Sequence, residues 1–213
     1  MMEHLSHGER PFAWSAGTPV HESVWGLGGA EERAALAKVE GVVPLAERVV
    51  VPAGVEAAFY RLNQLPGQLG DVFRGLVSRD PDEDDVEDVA PEARALLARH
   101  VLDDVFVEAF YEASSRLPER VRVRRWGREG TLALRGRPAL LALRAAWAEA
   151  WTDDAIVARL RETGELMPAP RAVVMHGADQ PAPEAVVTQV AEALGAPPRI
   201  VTLVNGRVAQ LVP

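Results

Sequence analysis

The segment 119–137, ERVRVRRWGREGTLALRGR, constrains the fold of this chain more than any other segment. It contains seven arginines and one tryptophan, although the whole chain carries a net charge of −8. Arginine alternates with valine along residues 120–125, and a glycine-flanked break follows before residues 131–135. This pattern predicts two antiparallel strands joined by a turn at residues 127–130. Because clustered like charges repel each other, the hairpin requires a compensating partner.

Strand alternation predicts that the hairpin has two unlike faces. Val121 and Val123 share one face, and we expect Leu132 and Leu134 of the second strand to join them there. The other face presents arginine, together with Trp126 if the strand continues that far. We therefore expect the valine face to pack on the core and the arginine–tryptophan face to meet a partner.

The arginine–tryptophan face is the predicted docking surface of the protein. An acidic protein surface or the chain's own acidic segment 80–88 is the favoured partner. Nucleic acid is the alternative, because guanidinium groups grip phosphate and an indole ring can stack on bases. The residues assigned to this surface are Arg120, Arg122, Arg124, Arg125, Trp126, Arg128 and Arg135.

The acidic segment 80–88, DPDEDDVED, holds seven acids and is predicted to be a loop that extends to residue 90. So dense a charge resists packing into a core. The first aspartates follow the spacing of a calcium-binding loop, but Asp85 stands where glycine is required and Pro91 where the bidentate glutamate belongs. We therefore predict no metal site in this segment.

Composition narrows the chemistry that this chain can perform. It has no cysteine, which excludes thiolate nucleophiles and cysteine zinc sites, and Lys38 is its only lysine. It has no recognisable catalytic motif, and no cofactor is predicted. The enzyme hypothesis rests on His176 and Asp179, which follow a predicted strand at the position where open α/β sheets bind ligands. A non-catalytic adaptor or regulatory protein is the favoured function, with nucleic-acid binding and an enzyme near His176 as alternatives.

Apolar residues make up 48% of the chain and charged residues 25%, which is typical of a globular protein. No segment has the apolar region of a signal peptide or the roughly 18 uninterrupted apolar residues of a membrane span. We therefore expect a cytoplasmic protein without a membrane partner.

These patterns predict an α+β fold with a mainly helical body, the arginine-rich β-hairpin and a small C-terminal β-α-β-β unit. Residues 1–166 would form an irregular N-terminal segment and the body, and residues 167–213 would form a tail docked on that body. The final PPRIVTLVNGRVAQLVP resembles the closing hairpin of thioredoxin-like folds and implies a tight turn at Asn205 and Gly206. The redox cysteines of that family are absent, so the resemblance implies no redox chemistry.

Overall fold

A computed structural model describes residues 9–17, 20–26 and 28–213 of the chain. Within these ranges the fold is α+β, as the sequence predicts, with eight α-helices and two antiparallel sheets. The helices are α1 (Ala30–Val39), α2 (Ala53–Leu62), α3 (Leu65–Val72), α4 (Glu83–Arg99), α5 (Asp104–Ser114), α6 (Arg137–Ala148), α7 (Asp153–Thr163) and α8 (Glu184–Leu194).

The strands divide between a central sheet and a smaller second sheet. The central strands are β1 (Phe12–Trp14), β2 (Arg48–Val51), β3 (Arg120–Arg125), β4 (Thr131–Leu134) and β5 (Val173–Gly177). They lie in the order β1-β2-β5-β3-β4, and every neighbouring pair is antiparallel. The second sheet contains β6 (Gln180–Pro181), β7 (Ile200–Val204) and β8 (Arg207–Val212), in that order.

The central sheet separates two apolar clusters. Val49, Val123 and Met175 face a helical layer that includes the buried side chains of α2 to α7. Val50 and Val174 face the opposite way, toward α1 and the second sheet. The inner strands β2 and β5 are therefore buried along their whole length, as expected for strands that alternate between two buried faces.

Local sequence signals fix the ends of several elements, because Thr152 is a residue type that caps helices and Gly164 one that ends them. The Thr152 side chain accepts a hydrogen bond from Ala155 N at 3.3 Å and caps α7, and Gly164 ends that helix with φ 76°. Asn205 and Gly206 turn between β7 and β8 with φ 50° and 75°, the left-handed pair that a tight hairpin requires. No helix in the described ranges combines the length and apolar character needed to cross a membrane.

Helix α4 occupies most of the segment predicted to be an acidic loop, and the loop prediction was wrong from Glu83 onward. Asp82 caps the helix by accepting a hydrogen bond from Asp84 N at 3.1 Å. The first turn of the helix contains Glu83, Asp84 and Asp85, and the positive end of the helix dipole favours negative charge there. A proline is tolerated in the first turn of a helix, so Pro91 predicts a helix start, but it lies inside α4.

Apolar residues at helical spacing from Leu102 to Ala113 predict one helix that runs from Pro91 to Ser115, but the structure has two helices there. Helix α4 ends at Arg99, and Asp103 starts α5 by accepting hydrogen bonds from Val105 N and Phe106 N at 2.9 and 3.4 Å. The aspartate provides a new N-cap inside a continuous apolar pattern, so periodicity alone did not reveal the break.

The first strand of the predicted C-terminal unit belongs to the central sheet. Strand β5 lies between β2 and β3, whereas β6 to β8 form the second sheet. The continuous apolar run Val173–Met175 is buried on both faces, which is typical of a central strand. The division between residues 166 and 167 stays a prediction.

Candidate functional site: the arginine hairpin and its buried partners

The predicted hairpin forms, and β3 has the two faces that alternation predicted. Val121 and Val123 belong to the helical core, whereas Trp126 belongs to the cluster on the opposite side. The prediction for the second strand was wrong, because Leu132 lies opposite Arg122 and Leu134 opposite Arg120. Residues paired across a ladder share a face, so both leucines lie on the arginine side of the sheet.

Helix α1 covers the middle of the arginine face through a fully buried ion pair. Glu32 accepts hydrogen bonds from both terminal nitrogens of Arg124, at 2.8 Å from Nη1 and 2.6 Å from Nη2. Gly127 N, in the hairpin turn, donates to the same carboxylate at 2.7 Å. Three donors therefore satisfy one glutamate and attach the hairpin to α1, with the bidentate geometry that makes such pairs strong.

His176 extends this network and is fully buried. Arg124 Nε donates to His176 Nε2 at 3.1 Å, and His176 Nδ1 lies 2.8 Å from Gly177 O. Because the guanidinium can only donate, the ring must be neutral with its proton on Nδ1. Burial and the charge of Arg124 lower the pKa of His176 to about 3. Both ring nitrogens are occupied, so neither is free to contact a substrate.

Arg48 adds a positive charge to the same interior and forms no ion pair within the described residues. Arg48 is fully buried and lies opposite His176 on one neighbouring strand and opposite Trp14 on the other. The guanidinium of Arg48 lies 5.4 Å from the centroid of the Trp14 ring. Its Nη2 donates to Val208 O at 3.0 Å, while Nε and Nη1 have no hydrogen-bond partner among the described residues. Burial and the neighbouring arginine lower the pKa of Arg48 to about 10.

Arg125 points to the other side of the sheet and is paired there. Its Nη2 lies 3.0 Å from Glu56 Oε1, and its Nε donates to Ala146 O at 2.9 Å. The second oxygen of Glu56 accepts a hydrogen bond from Arg171 N at 3.0 Å. Burial raises the pKa of Glu56 despite the favourable charge of Arg125.

Arg122 is paired with Asp179, and it also donates to Gly130 O at 3.1 Å. None of the ion pairs formed by β3 involves the acidic segment 80–88 within the described structure. Glu83 of that segment pairs instead with Arg161, at 2.6 Å on the surface. Carboxylates of the chain itself do neutralise the arginines of β3. They come from α1, α2 and Asp179, which lies between β5 and β6.

Trp126 is buried in a cluster of three indoles. Its ring centroid lies 5.2 Å from that of Trp14 and 5.9 Å from that of Trp25, in edge-to-face arrangements. The guanidinium of Arg124 lies 5.7 Å from the Trp126 centroid. Gly29 packs against this side chain with φ 74°, and a Cβ atom at Gly29 would lie 2.1 Å from Trp126 Cβ.

The outer part of the hairpin remains uncovered. Strand β4 is at the edge of the central sheet, and Leu132 and Leu134 are 46% and 51% exposed. Arg120 and Arg128 are exposed and form no ion pair within the described residues, whereas Arg135 donates to Ser115 O and Leu117 O at 2.7 and 2.6 Å. The predicted docking residues therefore divide into a buried group and an exposed group.

The buried group conflicts with the predicted docking role. Arg124, Arg125 and Trp126 are buried, so the arginine–tryptophan face offers no free stacking platform to a nucleic acid. His176 and Asp179, the candidates for an enzyme, lie in the network around this face, and neither residue lines any of three well-formed clefts in the described part of the chain. No group of three or more acidic or histidine side chains in the described ranges is placed to hold a metal ion.

Sequence reasoning missed three members of the network, which are Glu32, Glu56 and Arg48. Glu56 carried a usable signal, because it interrupts the apolar run from Val55 to Tyr60. A charge inside such a run is typical of a buried residue with a partner. Glu32 had no such signal, because it lies beside Glu31 on a helix that reads as a surface helix.

No protein-family model matches this chain, and no curated protein shows significant similarity to it. The function is therefore argued from the site alone.

Proposed function

We propose that this protein is a non-catalytic interaction protein that docks an acidic, extended segment of a partner protein along the outer edge of β4. The observation that carries the proposal is the outer edge of β4, which pairs with no strand of the described residues and whose two leucines are about half exposed. The docking surface consists of Leu132, Leu134 and the exposed arginines Arg120, Arg128 and Arg137. It replaces the buried arginine–tryptophan face as the candidate interface.

The hydrogen-bond register supports strand addition at this edge. Arg135 N donates to Glu119 O at 2.7 Å, and Ala133 is the partner of Val121. Main-chain groups alternate in direction along a strand, so the N–H and C=O groups of Leu132 and Leu134 point away from β3. An added strand would pair with these groups, as in recognised cases of β-strand addition.

Charge favours an acidic partner over a second copy of this chain. Arg120 is the cross-strand neighbour of Leu134, and Arg137 begins α6 just after the strand. Two copies paired through this edge would place the positive charges of both copies on one continuous sheet, and like charges repel each other there. A segment in which apolar and acidic residues alternate would place apolar side chains on the leucines and carboxylates near the arginines.

The proposal is tested by fluorescence anisotropy with a labelled peptide of alternating valine and glutamate. Leu132→Pro removes an outward N–H and the apolar contact of the leucine side chain but keeps the ladder bonds to β3, so binding should weaken by more than about fivefold, the value of one hydrogen bond. Arg120→Gln should weaken binding about threefold, and less at high salt, because a rim charge pair contributes little and is screened.

Two controls separate strand addition from general attraction of acids. Arg207→Gln removes the same charge from the second sheet and should leave binding unchanged. A peptide methylated on alternate main-chain nitrogens keeps its charge but should bind at least fivefold more weakly. Equal binding of both peptides, or tighter binding of a short DNA duplex with the same dependence on Arg120, would refute the proposal.

A further inference from the structure

A cleft between α4 and α6 is the strongest remaining candidate for a ligand site. Its volume is about 240 Å³, and its floor is formed by Phe59, Leu97 and Trp147. Leu141 forms part of the lining and is 52% exposed, which is unusual for a leucine on an amphipathic helix. The cleft lies in the helical layer, on the other side of the central sheet from α1 and its Glu32–Arg124 ion pair.

The polar groups of this cleft are all cationic. Arg94 and Arg144 line it, no lining residue is acidic, and the others are apolar. This is notable in a protein of net charge −8. The cleft therefore combines an apolar surface with a local positive charge, which complements an amphiphilic anion.

The two arginines differ in what they can offer to a ligand. Arg144 Nη2 donates to three carbonyl oxygens near the end of α4, those of Leu97, Ala98 and His100, at 2.8, 2.7 and 2.7 Å. These bonds hold its guanidinium at the rim of the cleft. Arg94 is exposed and has no hydrogen-bond or ion-pair partner among the described residues, so its charge is available to a bound anion.

We propose that the cleft between α4 and α6 binds a medium-chain carboxylate, with its hydrocarbon chain against Phe59 and Trp147 and its carboxylate at Arg94. A group the size of a water molecule occupies about 30 Å³, so the cleft holds roughly eight such groups. Octanoate has eight carbon atoms, so its size matches the volume of the cleft. The proposal concerns a different surface from the β4 edge and does not depend on it.

Isothermal titration calorimetry with octanoate tests the site in the intact protein. A ligand of this size should bind with a Kd of about 0.1–1 mM. Butyrate, with a shorter chain, and octyltrimethylammonium, with the opposite charge, should each bind at least fivefold more weakly. Absence of octanoate binding at millimolar concentration, or equal binding of the two octyl compounds, would overturn the proposal.

Two substitutions locate the site. Arg94→Gln should weaken octanoate binding about threefold to fivefold, whereas Arg99→Gln on the same helix should not change it. Leu141→Glu places a carboxylate in the cleft and should reverse the preference in favour of octyltrimethylammonium. Leu62→Glu, the same change at a partly exposed leucine of α2 that does not line the cleft, is its matched control. Unchanged octanoate binding by the Leu141→Glu variant would contradict the assignment of the site.

Discussion

The buried histidine makes a quantitative prediction for the pH dependence of stability. Burial and Arg124 lower the pKa of His176 from its ordinary value of 6.5 to about 3 in the folded protein. Below pH 6.5 the unfolded chain binds a proton at this position that the folded protein does not bind. The free energy of unfolding therefore falls as the pH falls from 6.5 toward 3, and the contribution is fully present above pH 6.5.

The size of this effect follows from the two pKa values. Each unit of difference corresponds to about 1.4 kcal/mol, so the complete loss is about 5 kcal/mol. Between pH 8 and pH 5 the loss from His176 alone is about 2 kcal/mol. Glu56 acts in the opposite direction, because its raised pKa lets the folded protein bind a proton more readily than the unfolded chain. The pH dependence of the free energy of unfolding in one protein combines both groups. The difference in this dependence between the natural protein and a His176 variant isolates the contribution of the histidine.

Urea unfolding followed by circular dichroism at pH 8 and pH 5 provides the assay. His176→Gln can still accept from Arg124 and donate to Gly177 O, but it cannot titrate. Its loss of stability between the two pH values should be about 2 kcal/mol smaller than that of the natural protein.

The reasoning would be refuted if His176→Gln and the natural protein lost the same stability, within about 0.5 kcal/mol. A second measurement does not depend on the variant folding. The ring proton resonances of His176 should not titrate between pH 8 and pH 4.5 in the folded protein, because its pKa lies below that range. A titration midpoint near 6.5 would equally contradict the neutral, buried assignment.

Two substitutions test the attachment of the hairpin to α1, both by urea unfolding at pH 7. Glu32→Gln leaves a buried arginine without its counter-charge and should cost about 3–5 kcal/mol, whereas Glu31→Gln at the exposed neighbour should change stability by less than about 0.5 kcal/mol. Gly29→Ala adds a Cβ that would lie 2.1 Å from Trp126 Cβ at a φ of 74° and should cost about 2–4 kcal/mol. Gly28→Ala has a positive φ without a clash, so it should cost only about 1 kcal/mol, and equal losses at the two glycines would contradict the packing argument.

The buried network also explains how an acidic protein tolerates seven arginines in one hairpin. Arg122, Arg124 and Arg125 each have a carboxylate partner, and these three pairs neutralise the strand that lies inside the sheet. Arg48, the buried arginine of the neighbouring strand β2, forms no ion pair with a carboxylate within the described residues. Removing one partner of a buried ion pair leaves the other charge buried without compensation, which lowers the free energy of unfolding. We therefore expect single substitutions in the network to be strongly destabilising.

Features that depend on nearby residues were predictable from the sequence. The alternation along β3, the cap at Thr152 and the turn at Asn205 and Gly206 each depend on residues within a few positions of one another. Backbone sterics and side-chain capping decide such features locally. The two wrong predictions about helices also have a local cause, because an aspartate can either interrupt a helix or begin one, and Asp82 and Asp103 begin helices here.

The sequence by itself determined that this chain has an α+β fold and a hairpin with a valine face and an arginine face. Only the tertiary structure decided what covers the arginine face. The pairs Arg124–Glu32, Arg125–Glu56 and Arg122–Asp179 join residues 92, 69 and 57 positions apart. Strand periodicity states which side a residue faces, but it contains no information on which distant element packs against that side. Here α1, α2 and the residues after β5 supply the carboxylates, and the edge left uncovered is β4 with its two leucines.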